Sequence, residues 1–401
     1  MRPLEIKKDV FWVGAIDWNR RDFHGYSLSP RGTTYNAYLI KDEKVTLFDT
    51  VMAGFKGEML CRLAHAIEPE KIDYFVINHL EPDHAGCLPE LVELAKPEKI
   101  FCSPMGLRAM EAHFHFSNWP VEVVKTGDSI SLGAREVRFV ETRMLHWPDS
   151  MFSYIPQDRL LICNDAFGQN IASTERFADQ IDRSLLFQAM KEYYANIVLP
   201  YSPIVLKTLE AVTTLGLDID MIAPDHGLIF RTRDDVQYVL DCYKAFAEQK
   251  PADKAVIVYD TMWHSTEKMA LAIAEGLNEA GVSVKVMYLK ANHHSAVMTE
   301  ILDAAAVIVG SPTHNNGIMP SVAGMLQYMK GLRPLGKIGA AFGSFGWSGE
   351  SVKIIAEWLE RADFQLVADA VKVKHVPTHT DYESCRELGR KVAAAIREKR
   401  A

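Results

Sequence analysis

Within six consecutive positions the chain places His79, Glu81, Asp83 and His84, in the stretch "HLEPDHAG" that follows the apolar run "IDYFVI". Two imidazoles and two carboxylates so close together repel and desolvate one another, and a bound cation of high charge removes that conflict. Residues leaving a strand alternate in direction, so His79 and Glu81 can serve one ion while Asp83 and His84 turn toward a second. Three further donors stand at or just beyond expected strand ends: His146 in "MLHWPDS", Asp165 in "LLICNDAFG" and His226 in "MIAPDHG". Asp165 has two oxygens with which to bridge a pair of ions. The seven donors are nitrogen and oxygen without sulfur, which turns the chemistry away from iron–sulfur clusters and thiolate zinc. A lone loop histidine is usually just a polar residue, and Asp83 or Asp165 could cap a following helix. Four potential ligands at alternating and adjacent positions are hard to explain as caps.

Three loops in the second half carry a different signature. "DTMWHST", residues 260 to 266, joins an expected strand to an expected helix and offers Thr261, Met262, Trp263, His264, Ser265 and Thr266. Hydroxyls, backbone N–H groups and a helix N-terminus can surround a terminal phosphate without lysine or arginine. The loop is similar to the phosphate loop of flavodoxins and lacks the G-x-G-x-x-G of dinucleotide sites, so FMN is expected rather than FAD or NAD. "SPTHNNG" supplies Ser311, Pro312, Thr313, His314, Asn315, Asn316 and Gly317, and "GSFGWSGE" supplies Ser344, Phe345, Gly346, Trp347, Ser348 and Gly349. At strand ends of an open α/β sheet such loops border the ligand crevice, and their glycines allow close backbone approach. Trp347 is the expected neighbour of the flavin ring. His264 and His314 could adjust its potential, although a solvated loop histidine is the simpler reading of each.

These residues need two different frameworks. With 401 residues and 48% hydrophobic composition, the chain exceeds what one core usually organises, and two unequal domains are expected. From the N-terminus to about residue 250, short strands and helices succeed one another. "YNAYLIKDEKVTLFDT" reads as a hairpin turning at Asp42, Glu43 and Lys44, "REVRFVET" and "RLLICND" as further strands, and residues 54–66, 86–95, 104–115, 184–198, 203–215 and 233–248 as helices. Mostly antiparallel strands covered by helices make an α+β layered domain. After the polar stretch "AEQKPADK", continuous apolar strands alternate with helices: "AVIVYD", "VSVKVMYL", "AAAVIVG", "KIGAAFG" and "FQLVADAVKV". That pattern is an α/β, doubly wound parallel sheet, so the expected domains are residues 1–250 and 251–401.

A formal charge of −8, with both signs mixed throughout, argues against nucleic acid as a partner. No apolar run is long enough for a signal peptide or a membrane span, so a cytoplasmic protein is expected. Six scattered cysteines suggest neither a disulfide framework nor a thiolate metal site.

The ligand spacing is similar to the H-x-H-x-D-H signature of the metallo-β-lactamase fold, with Glu81 where zinc hydrolases of that fold carry their second histidine. A carboxylate is a harder donor than imidazole and offsets more positive charge, which favours iron. H-x-E-x-D-H joined to a flavodoxin-like half resembles the flavodiiron (A-type flavoprotein) family over essentially the whole chain. The resemblance implies an αββα sandwich followed by a flavodoxin-like domain. It assigns one iron to His79, Glu81 and His146 and the other to Asp83, His84 and His226, with Asp165 bridging. It further implies reduction of dioxygen to water, with nitric oxide as a second substrate, FMN feeding the non-haem di-iron site, and rubredoxin as electron donor. A head-to-tail homodimer would bring the flavin of one subunit to the iron pair of its partner. The segment holding His24 and Tyr26 is similar to the family's substrate-side loop, which makes them candidate proton donors. Trp147, beside His146, is a candidate contact for the incoming flavin. "HFH" at 113–115 and "HH" at 293–294 lie outside the ligand pattern and are expected at the surface. The rival reading is a dinuclear zinc hydrolase with a fused flavodoxin domain; Glu81 and the flavin loops count against it.

Overall fold

Apolar alternation in the first half builds two packed sheets. The computed structural model describes residues 1–116 and 118–400; Ala401, the end of the expected second domain, lies outside them. It divides into two compact units, one formed by Met1–Gly25, Ser29–Tyr193 and Tyr201–Lys244, the other by Tyr26–Leu28, Tyr194–Pro200 and Ala245–Ala401.

In the first unit a seven-stranded sheet runs in the order Leu4–Lys7, Val10–Trp12, Tyr38–Ile40, Thr46–Phe48, Tyr74–Ile77, Lys99–Cys102, Val121–Val123. A five-stranded sheet runs Ser129–Ser131, Glu136–Glu141, Met151–Ile155, Leu160–Ile162, Met221–Ala223. Side chains of Tyr74–Ile77 sort by parity. Phe75 and Ile77 enter a core with Met59, Leu63, Leu88, Leu91 and Met110 of the covering helices. Val76 enters the core shared with Phe139, Met151, Ile155 and Ile162 of the other sheet. Each leucine so buried contributes about 1.5–3 kcal/mol relative to exposure, an upper figure for a compact unfolded chain.

The expected hairpin forms between Tyr38–Ile40 and Thr46–Phe48. Beyond it the pairing changes: Thr46–Phe48, Tyr74–Ile77 and Lys99–Cys102 run parallel, as do Leu160–Ile162 and Met221–Ala223. The mostly antiparallel expectation therefore misses the region that matters most. Parallel neighbours end on the same edge, which is what gathers the loops bearing His79, Asp165 and His226. The expected helix 86–95 forms over Leu88–Ala95, and a separate short helix, Pro82–Ala85, unforeseen in the sequence, precedes it. The expected helix 184–198 is α-helical only over Arg183–Tyr193 and widens into a π turn at Tyr194–Val198. There Asn196 donates to Ser295 O (3.2 Å) and accepts from the Tyr328 hydroxyl (2.8 Å), so side-chain bonds within the second unit hold the turn.

The second unit's sheet has the order Ser283–Tyr288, Ala252–Tyr259, Ala304–Gly310, Ile338–Phe345, Gln365–Leu366, every pair parallel. This is the 2-1-3-4-5 order of a doubly wound fold, whose ligand crevice lies at strand C-termini. Helices Ser265–Glu279 and His379–Arg400 bury Met269, Ile273, Leu388 and Val392 against Ala255, Ile257, Ile308 and Phe342. The single strand expected in "FQLVADAVKV" is two, Gln365–Leu366 and Val371–Lys374, pairing with opposite ends of Ile338–Phe345. All six cysteines are unpaired thiols.

Candidate metal centre and cofactor pocket

The seven sequence-predicted ligands come together as two groups, His79, Glu81, His146 and Asp165 in one and Asp83, His84 and His226 in the other. Ligand atoms within each group lie within 4.8 Å of one another. Asp165 faces both. Its Oδ2 lies 2.8 Å from His146 Nε2 and 3.3 Å from His79 Nε2, while its Oδ1 lies 3.0 Å from His84 Nε2 and 3.4 Å from His226 Nε2. Glu81 Oε2 completes the first group at 3.1 Å from His79 Nε2 and 3.3 Å from His146 Nε2. Asp83 Oδ2 completes the second, 3.2 Å from His226 Nε2. Strand alternation separates His79 from Leu80, but the turn of helix Pro82–Ala85 is what carries Asp83 and His84 to the second group. Asp83 caps nothing, since Glu81 holds the N-cap position without a side-chain bond.

Four histidines present Nε2 inward, so their outer nitrogens decide how firmly they are aimed. Asp149 Oδ2 lies 3.1 Å from His79 Nδ1 and also accepts from Leu80 N at 2.7 Å. The carbonyl of Thr34 lies 2.6 Å from His226 Nδ1. Both partners accept, which puts the proton on Nδ1 and leaves Nε2 a lone pair for a metal. Behind His84 the buried Asp225 places Oδ2 at 3.6 Å from Nδ1. Asn36 clamps the turn bearing Asp225 and His226: its N donates to Asp225 O (2.7 Å) and its Nδ2 to Pro224 O (2.7 Å) and Gly227 O (3.1 Å). Asp49 does the same for the first loop, accepting from Asn78 N (2.7 Å) and Asn78 Nδ2 (2.6 Å).

These supports escape sequence reasoning. Asp149 and Asp225 sit inside quoted stretches, yet only tertiary contact reveals them; the Thr34 carbonyl leaves no sequence signal at all. Outer partners of this kind change metal affinity by about 10–100-fold. Asp149→Asn is expected to weaken iron retention by that factor in chelator competition; retention equal to wild type would show that Asp149 does not aim His79.

Burial opposes charge on His84, but Asp83 and Asp165 more than offset it and push its pKa up to about 10. Burial likewise opposes charge on His146, and bonds to Asp165 and Glu81 push it up to about 9. For Asp165 burial disfavours ionisation, yet the facing histidines hold its carboxyl well below the usual range. Metal uptake must displace the imidazole protons, so affinity falls as pH falls.

In the second unit a cavity of about 470 Å³ is lined by residues from all three predicted loops, among them Met262, Trp263, Ser265, Thr313, Asn315 and Trp347. Pro312, Asn316, Ser344, Phe345, Gly346 and Ser348 line it too. Thr261, His264, Thr266, Ser311, His314, Gly317 and Gly349 are not part of that lining. Several of them build the loops instead. Thr266 Oγ1 lies 2.9 Å from Ser344 Oγ, and Ser311 Oγ accepts from Met319 N at 3.0 Å. His314 and Gly317 exchange backbone bonds of 3.1 and 2.8 Å across Asn315 and Asn316, whose φ values of 47° and 58° suit asparagine. Thr261 Oγ1, buried and without a hydrogen-bond partner, stands near the start of helix Ser265–Glu279. Trp263 and Trp347 are 86% and 87% exposed, a pair of ring surfaces at the mouth. A fourth loop, unforeseen in the sequence, adds His375 and Val376.

Gly343 permits the second and third of these strand ends to approach, since a Cβ there would lie 2.2 Å from the Ser311 carbonyl oxygen. Gly343→Ala is expected to cost about 1–3 kcal/mol of stability through overpacking and to weaken FMN binding. Thermal unfolding and flavin-fluorescence titration check this, and wild-type values in both would refute it.

Comparison with known proteins matches residues 33–227 to a family described as ODP family beta lactamase and residues 257–389 to flavodoxin. The rubredoxin-oxygen oxidoreductase of Megalodesulfovibrio gigas is 61% identical over 401 residues, all of both chains. The nitric oxide reductase of Moorella thermoacetica is 47% identical over 397 residues, covering 98% of this chain and 99% of the other. The crystal structure of the flavodiiron protein from Giardia intestinalis superposes with a TM-score of 0.95 at 34% identity, covering 100% of this chain and 99% of that one. The chain belongs to the flavodiiron protein family.

For a flavodiiron protein the donor set must hold two iron ions, and here it fits. Asp83 Oδ1 and Oδ2, His84 Nε2 and Asp165 Oδ1 are buried with no hydrogen-bond partner among the described residues. Buried polar atoms are rarely left so, and bound cations explain them. Three carboxylates and four imidazoles, with no thiolate, suit iron. The flavodoxin half fits FMN through the Thr261 hydroxyl, the helix start and the cavity.

Of the two candidate proton donors, His24 lies in the first unit with Nε2 2.6 Å from Glu81 Oε1. Tyr26 belongs to the second unit, its ring 6.1 Å from Tyr328 and its carbonyl 2.5 Å from His294 Nε2. Trp147 meets His79 edge-on at 5.2 Å and stacks on the exposed His113 at 6.5 Å. His293 and His294 correct an expectation: they are half-buried rather than superficial, because His293 accepts from Ser295 N as a helix cap and His294 packs on Tyr328 at 4.5 Å. Among the described residues no helix is long and apolar enough to cross a membrane.

Proposed function

We propose that this flavodiiron protein reduces dioxygen to water at a non-haem di-iron site, with nitric oxide as a second substrate, rubredoxin as donor and FMN as relay. Residues 1–250 form the iron domain and residues 251–401 the FMN domain. The carrying observation is Asp165, whose two oxygens face two separate donor groups. The 61%-identical relative, named a rubredoxin-oxygen oxidoreductase, supports the donor and the gas; the 47%-identical nitric oxide reductase supports the second substrate. Glu81 and the flavodoxin match weigh against a zinc hydrolase.

When bound, the iron pair and FMN together store the four electrons that dioxygen reduction consumes. The chain's own residues do the positioning. Asp165 and Glu81 keep three negative oxygens turned inward, Asp149 and Thr34 fix the tautomers of His79 and His226, and His24 holds the outer oxygen of Glu81. His24 is also the better-supported proton donor, since its Nε2 reaches a ligand oxygen at 2.6 Å. FMN is held by the three loops at 260–266, 311–317 and 343–350. A head-to-tail homodimer supplies the short path between flavin and iron.

Mixing the anaerobically reduced protein with each gas tests the reading. Four electrons consumed per dioxygen, with no hydrogen peroxide, is the expected result; peroxide release or no gas consumption would overturn it.

A further inference from the structure

We propose that His375 is the proton-linked group of the flavin pocket and sets how the FMN reduction potential varies with pH. The inference rests on FMN occupying that pocket. Of the fourteen residues lining the cavity, His375 alone is ionisable. Other titratable or charged side chains on the converging segments are not in the lining. His264 pairs with Glu267 at 2.7 Å, Lys372 lies 5.9 Å from the centre of the Phe345 ring, and His314, Glu350 and Lys374 likewise do not reach the cavity wall.

The imidazole stands on a firm base. Val371–Lys374 pairs in register with Phe342–Phe345, and the His375 N–H donates to Phe345 O at 2.8 Å. A Cβ built on Gly346 would lie 3.7 Å from His375 Cε1, so the ring lies against the third flavin loop. Met262, Pro312, Phe345, Trp347 and Val376 make the rest of the wall largely apolar, so no other side chain of the lining offers a charge to balance one added to the flavin.

Reduction of FMN by two electrons brings at least one proton to the flavin and leaves a negative charge on it when only one arrives. A second proton, taken from solvent onto His375, balances that charge. The sum is then two electrons and two protons, one proton on the flavin and one on the imidazole. Rubredoxin supplies the electrons in the proposed reaction and dithionite supplies them in the test. An imidazole can stand neutral or protonated, so it can take up that proton when the flavin is reduced. Protonated, it favours the reduced flavin and raises the potential.

Wild type, His375→Asn and His375→Lys holoproteins are titrated with dithionite from about pH 5.5 to about 8.5, after FMN per chain has been counted. Asparagine tolerates the φ of 60° at this position, and Lys96 and Arg333 already hold φ of 50° and 52° in this chain. The expected result is that wild type and His375→Asn agree at the alkaline end and diverge toward acid. Wild type then rises more steeply by up to about 30 mV per pH unit, the tenfold step of a two-electron couple. His375→Lys should lie above His375→Asn throughout, with the same slope. Superposable wild-type and His375→Asn curves overturn the role of His375, whereas wild-type protein that takes up no FMN sinks the reading of the pocket itself.

Discussion

Replacing Asp165 by alanine is expected to cut bound iron from two ions per chain to one or none, and to lower gas turnover by at least about 10²–10³-fold. No other ligand touches both groups: within 3.4 Å of its carboxylate stand the Nε2 atoms of His79, His84, His146 and His226. Without it, four inward imidazoles lose their shared counter-charge, and ions bound at the two groups lose their common ligand. Asp165→Asn keeps the volume and one oxygen, so it should fold and separate loss of charge from loss of shape. Iron analysis and gas uptake read both variants. Two irons per chain and near-normal turnover in Asp165→Ala would show that the two groups are independent.

The second large effect concerns the identity of the metal. Glu81→His restores the three-histidine spacing of the zinc hydrolases and removes one negative charge from a buried group that includes His79, His146 and Asp165. Softer nitrogen in place of hard oxygen should shift the bound zinc-to-iron ratio toward zinc by roughly tenfold, an affinity difference of about 1.4 kcal/mol. Elemental analysis of protein grown with equal supplies of both metals measures it. An unchanged ratio would mean that metal choice lies outside the ligand set, for example in loading. The His24 contact at 2.6 Å from Glu81 is lost in the same variant, so His24→Ala, which leaves the ligands alone, serves as its control.

The metal donors are legible in the sequence because chemistry confines them to a few residue types and because each follows a strand end. Asp165 and His226 come three residues after the ends of Leu160–Ile162 and Met221–Ala223. What aims them is not legible. Asp149 contacts His79 across seventy positions of chain, and Asn36 grips a turn near residue 225. Such contacts depend on which strands pair and in which direction, and the short strands Thr46–Phe48 and Met221–Ala223 carry too few residues for a pattern to tell parallel from antiparallel. In the second unit the long apolar strands announce a doubly wound parallel sheet and its three loops. The fourth loop is hidden because Val371–Lys374, reading V-K-V-K, merges by pattern with the preceding Gln365–Leu366, although the two pair with different ends of one neighbour. His375 is therefore visible only once that register is known.

Mössbauer spectroscopy of protein reconstituted with ⁵⁷Fe, with FMN quantified in the same sample, tests the central claim most directly. Two iron sites in equal amounts, magnetically coupled through a common bridge, and one FMN per chain are predicted. A single iron environment, or zinc retained in place of iron after reconstitution, would contradict it.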